Sequence, residues 1–152
     1  MVPVDILKKV SIFQGLEKDE LASIAGLASE ETYGASTRIL TDGNIAEYLY
    51  ILIEGEVDIQ TKLKSISGPV SVDKIEEGEM FGWSALVEPY SLTASAITVT
   101  KSKIIVLPAT ELRDLFDKNS HIGYIVMKEV ASVISSRFRQ TIAGLLEYID
   151  AS

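Results

Sequence analysis

Apolar positions change their spacing twice along the 152-residue chain. In residues 11 to 27, SIFQGLEKDELASIAGL, Leu16, Leu21, Ile24 and Leu27 fall at mostly three- and four-residue steps with acids early, which predicts a short amphipathic helix. From about residue 32 the texture becomes brief β-rich pieces between turn signals: TYGASTRIL, TDGN, YLYILI, EGE, VDIQTKL, SGP, VSVDKI, EEGE, ASAITVT and KIIVL. Short strands at this spacing predict a sandwich or barrel rather than alternating strands and helices. Asp42-Gly43-Asn44 and Glu54-Gly55-Glu56 stand between strand candidates, where glycine accepts the positive φ of a tight reversal.

After Pro108 the period returns to that of a helix, with a short one in ATELRDLFDKN and a long one over roughly residues 120 to 149. In the long helix Ala131, Ile134, Phe138, Thr141, Leu145 and Tyr148 alternate three- and four-residue steps, and Val130, Val133, Ile142, Leu146 and Ile149 widen the stripe. One contact with the chain's own strands needs less apolar surface. The excess predicts that part of this helix faces a second copy of the chain.

Composition narrows the function classes. With 47% hydrophobic residues the chain can bury one core, and it is expected to form one domain: an N-terminal helical segment over 1–30, strands over 31–108 and C-terminal helices over 109–152. A formal net charge of -8 repels nucleic acid and anionic membranes, so neither is an expected partner. The absence of cysteine removes disulfides, thiolate zinc sites and cysteine nucleophiles, and a cytoplasmic location is the expectation. No apolar run approaches the roughly 18 residues of a membrane span.

Four stretches carry a resemblance: YLYILIEGEVDI at 48–59, EEGEMFGWSAL at 76–86, TASAITV at 93–99 and SRFRQTIAGLL at 136–146. Their order resembles the cyclic nucleotide-binding domain of catabolite activator-type regulators and of the regulatory subunits of cyclic-AMP-dependent kinase. The resemblance implies a mainly β fold with flanking helices: a double-stranded β-helix, or jelly roll, with a long C-terminal helix. It also implies a phosphate-binding cassette, here residues 79–95, with Gly78, Glu79, Gly82, Ala85, Thr93, Ala94 and Ser95 as its frame.

The cassette's chemistry follows from its residue types. Gly82 permits close backbone approach, and Trp83, Ser84 and Ala85 can open a helical turn with free N–H groups, beside Phe81. Thr93 and Ser95, flanking Ala94, add hydroxyl donors. In the family a glutamate after the glycine takes the ribose hydroxyl and an arginine before the small residues pairs with the cyclic phosphate; those positions are Trp83 and Leu92 here. Losing a charged hydrogen bond of about 1.5–3 kcal/mol weakens anion binding about ten- to a hundredfold. Among the four arginines, Arg137 and Arg139 lie on the helix whose family counterpart covers the base. Each reads first as an exposed cation among acids; Arg137 and the hydroxyl of Thr141 are carried as candidate contacts. Trp83 reads first as a large hydrophobe closing the pocket.

The expected activity is therefore sensing: a regulatory module that takes a cyclic nucleotide weakly, or another small molecule, and acts as a homodimer on an effector protein not identifiable from the sequence. The alternative is a dimeric interaction scaffold that has kept the fold and lost the ligand. Catalysis is not expected, nor is a metal or a cofactor other than a cyclic nucleotide ligand. Metal-dependent double-stranded β-helices need two or three histidines, and this chain has only His121, which reads as a helix-terminal or surface residue. The chain stops at Ser152 with no helix-turn-helix, so DNA reading by that route is not expected.

Overall fold

The computed structural model describes residues 1–64 and 67–151. Two short helical pieces, α1 (Val4–Leu7) and a 3-10 turn (Ser11–Phe13), precede α2 (Lys18–Leu27). The amphipathic helix expected over 11–27 thus begins later, at Lys18. Glu20 sets the start: its Oε1 accepts the Glu17 backbone N–H at 3.0 Å, occupying one of the donors a helix leaves unsatisfied. Eight strands follow: β1 (Ser29–Tyr33), β2 (Arg38–Leu40), β3 (Tyr48–Glu54), β4 (Val57–Lys62), β5 (Pro69–Ile75), β6 (Met80–Phe81), β7 (Ser95–Thr98) and β8 (Ser102–Pro108). The chain ends in α3 (Ala109–Lys118) and α4 (Ser120–Ala151). Strand structure begins at Ser29, slightly before the change in texture, and TYGASTRIL divides into the end of β1 and all of β2.

The strands form two antiparallel four-stranded sheets, ordered β1-β8-β3-β6 and β2-β7-β4-β5. This is the expected jelly roll with flanking helices. The central strands of its first sheet, β3 and β8, are covered on both faces. Tyr50, Leu52, Ile104 and Val106 point inward to Val57, Ile75, Phe81 and Ala96, whereas Leu49, Ile51, Ile105 and Leu107 pack beneath Ile24, Leu112, Ile122, Val126 and Val130 of the helices. Burial on both faces is why YLYILI and KIIVL read as unbroken apolar runs instead of alternating.

Between β3 and β4, Gly55 has φ 106°, and a Cβ there would lie 2.4 Å from Ser102 Oγ and 2.8 Å from the Lys101 carbonyl. Only glycine fits this corner. At the other end of the core, His121 in the first turn of α4 places Nδ1 2.9 Å from both carboxylate oxygens of buried Glu20. His121 is half-exposed, as a helix-terminal residue should be, yet it fastens α4 to α2. The same carboxylate caps α2 and receives α4. Its pKa is held below the ordinary range, chiefly by the Glu17 N–H and then by the hydrogen bond from His121.

Candidate functional site

Gly82 closes β6 in the left-handed region (φ 75°) and caps a 3-10 turn, Trp83–Leu86. A Cβ at Gly82 would come within 3.1 Å of the Tyr50 ring and 3.3 Å of the Tyr48 carbonyl, so the glycine serves both conformation and proximity. The turn is the short helical opening expected after Gly82. Ala85 N–H is satisfied by the Gly82 carbonyl at 3.1 Å; among the described residues the Trp83 and Ser84 N–H groups show no backbone acceptor.

Beside this turn lies a cavity of about 660 Å³, within the range of roughly 300–1,000 Å³ usual for small-molecule sites. Phe81, Gly82, Trp83 and Ser84 line one part of it, and Leu92, Thr93, Ala94 and Ser95 another. Arg137 and Thr141 line it from α4. The frame residues Gly78 and Glu79 are not on this wall, and of the candidate contacts neither is Ala85. Ala85 is fully buried under the turn with Ala46, Leu92 and Ala109, because the inner side of a tight turn packs on whatever lies below it. Trp83 does not plug the space: it packs partly against the core beneath the helices and borders the cavity as well.

The rest of the wall was not read from the sequence. Gln140 and Gly144 join Arg137 and Thr141, and the spacing 137, 140, 141, 144 is one face of a helix. That period is visible in SRFRQTIAGLL and could have identified both. Val72 and Asp73 are adjacent in β5 yet both line the cavity with Ile59 and Thr61 of β4. Pairing between β4 and β5 shifts register between Ile59 and Gln60, and a bulge there re-aims neighbouring side chains. Nothing local in the sequence announces it.

Arg137 differs from its expectation as an exposed cation. Its side chain is 19% exposed, forms an ion pair with Asp73 and lies 3.5 Å from Glu79. Attraction to two carboxylates draws it across the gap between α4 and the strands. Leu92, at the position for which the resemblance implies an arginine, is buried with Leu40, Ala46 and Ala85, and its backbone exchanges hydrogen bonds with Gly43 and Asn44. Ser95 Oγ accepts the Asp42 N–H at 3.0 Å and keeps its proton to donate. Arg113 of α3, unremarked in the sequence, donates to the Ala85 carbonyl and stacks 4.2 Å from the centre of the Tyr90 ring. It grips the cassette from behind.

Among the described residues no group of three or more His, Asp or Glu side chains is placed to hold a metal ion, and no helix is long and apolar enough to cross a membrane.

The cyclic nucleotide-binding domain family model matches residues 30–119. The CRP-like cAMP-activated global transcriptional regulator of Mycobacterium tuberculosis is 25% identical over 152 residues, covering 95% of this chain and 62% of the regulator. A cAMP-dependent protein kinase regulatory subunit from Eremothecium gossypii is 26% identical over 103 residues, covering 68% of this chain and 21% of its own length. The chain therefore spans less than two thirds of these relatives. Among solved structures, a cyclic nucleotide-binding protein of Geobacter metallireducens GS-15 superposes with a TM-score of 0.81 at 25% identity, covering 91% of this chain and 99% of that one. The regulatory subunit of a cAMP-independent protein kinase A from Trypanosoma brucei shares the fold, with a TM-score of 0.77 at 17% identity over 93% of this chain and 50% of that one. The matched family model spans β1 through α3, and with it the whole cassette and its Gly82 turn: the chain belongs to the cyclic nucleotide-binding domain family.

Proposed function

We propose that the chain is a ligand-sensing regulatory module whose cavity takes a small molecule, a cyclic nucleotide only weakly. The observation that carries this reading is the cavity itself: its walls come from the cassette and β4–β5 on one side and from one face of α4 on the other. A guest there touches both bodies. It therefore biases where α4 sits, and it does so to the extent that its affinity differs between the positions α4 can take. An effector protein that distinguishes those positions would read the output. The activities of the regulator and of the kinase subunit support a sensing role and extend to this chain only as part of the same proposal.

Calorimetry with cyclic AMP and cyclic GMP tests the reading. Weak, saturable heat is expected, and Gly144→Trp should abolish it, because Gly144 borders the cavity and its Cβ direction is open. No heat at millimolar ligand, together with no small molecule released from the purified protein in mass spectrometry, would overturn it. A second reading, a dimeric scaffold without a ligand, is favoured by Leu92, whose burial in an apolar cluster gives it a packing role sufficient to explain its presence.

A further inference from the structure

Every charge on the cavity wall already has a partner. Asp73 and Arg137 are the charged residues that line it, and they pair with each other. Glu79 stands 3.5 Å from the same guanidinium. The remaining oxygens are also engaged: Asp73 Oδ1 accepts the Lys74 N–H at 2.8 Å, and Glu79 Oε1 accepts the Glu76 N–H at 2.7 Å. An anionic guest would have to draw Arg137 away from two carboxylates inside a chain of net charge -8. A cationic guest would find both carboxylates held by Arg137 and by backbone amides.

The unclaimed polarity is neutral. Among the described residues the hydroxyls of Thr61, Ser84 and Thr93 and the amide of Gln140 show no hydrogen-bond partner, although all four residues line the cavity. Ser95 keeps a proton to donate. Between these dipoles the wall is apolar, with Ile59, Phe81, Trp83 and Leu92 contributing to it. A site with satisfied charges and unsatisfied dipoles favours a ligand that brings hydrogen-bonding groups and no net charge.

We propose that the cavity's ligand is an uncharged, largely apolar small molecule bearing hydroxyl or amide groups. This rests on the ligand-sensing reading and names the class of molecule sensed. It separates the chain from an anion sensor by the state of Arg137, not merely by what stands at positions 83 and 92.

Calorimetric titration with two matched pairs tests it: 1-naphthylmethanol against 1-naphthoate, and adenosine against cyclic AMP. Trp83, the single tryptophan, supplies a parallel fluorescence signal at the cavity wall. The neutral member of each pair is expected to bind about tenfold more tightly or better, the scale set by a charged hydrogen bond left unmade. In the double variant Asp73→Asn/Glu79→Gln the guanidinium is released, and the anionic members should gain about ten- to a hundredfold. Anions binding as tightly as their neutral counterparts in the unaltered chain would overturn the proposal and leave ligand sensing standing. So would a double variant that is folded by circular dichroism yet no better at holding anions; if it does not fold, the comparison in the unaltered chain decides. Silence toward both pairs at millimolar concentration would overturn the proposal, and ligand sensing with it when the purified protein also releases no small molecule in mass spectrometry.

Discussion

The two sheets of the jelly roll are packed to different ends, and the apolar content of their strands differs accordingly. In the first, β3 and β8 bury apolar side chains on both faces, against the second sheet and against the helices. In the second, Val57 and Ala96 are fully buried, but Ile59 is only partly so, and along β4–β5 the wall opens into the cavity. A strand that must leave room for a guest forgoes contacts with its neighbours. The first sheet thus holds the stability, and the second holds the space.

The largest test of this contrast pairs one truncation in each sheet. Leu107 is fully buried beneath the helices, so Leu107→Ala should cost about 2–5 kcal/mol through lost transfer energy and a new cavity. Ile59→Ala widens a cavity that already exists, so no cavity term is added and about 1 kcal/mol is expected. Urea unfolding of both variants measures the difference. Equal losses would mean that the second sheet is packed as tightly as the first.

A smaller effect concerns how the helical layer is fixed over the first sheet. Glu20 is held in its charged form, so its folded pKa lies below the ordinary value of about 4.3. On acidification the unfolded chain takes up this proton first. The stabilisation is therefore complete above the unfolded pKa and is lost as pH falls through the lower folded value. Glu20→Gln should cost about 1 kcal/mol at pH 7, mostly as a weakened helix cap. The gap between the two proteins in urea midpoints should narrow as pH falls from the ordinary carboxylate range through the lower folded pKa. A gap constant over that range would show that the carboxylate's charge contributes nothing to folding.

The same contrast marks what the sequence made legible. Regular parts were readable because their periods are local: unbroken apolar runs for the doubly covered strands, steps of three and four for α4, Gly82 for the cassette turn. The uncharged side chains of Trp83 and Leu92 in the stretch that carries the resemblance are legible there too. What escaped depends on register and distance. The bulge that puts Val72 beside Asp73 on the wall arises from pairing with β4. The capture of Arg137 by Asp73 and Glu79 joins residues about sixty positions apart in the chain. Ala85 fits the motif yet faces the core, since a motif fixes residue type and only packing fixes direction.

The smallest expected change in stability comes from the outer half of α4, and it bears on pairing between chains. Ile122, Val126 and Val130 are buried and tie the helix base to the first sheet, whereas Phe138 and Leu145 are 63% and 56% exposed. These two stand one heptad apart on the stripe that includes Thr141, whose neighbours on the other flank line the cavity. We propose that a second copy covers this stripe, so that pairing and ligand occupancy act on the same turns of helix. Phe138→Glu/Leu145→Glu should shift sedimentation from dimer to monomer by setting like charges opposite each other across the seam. Within one chain it should alter stability by no more than about 0.5 kcal/mol per site, as exposed positions do. A double variant that sediments as the unaltered protein does would show that the outer stripe is not a pairing surface, and α4 would then answer to the cavity alone.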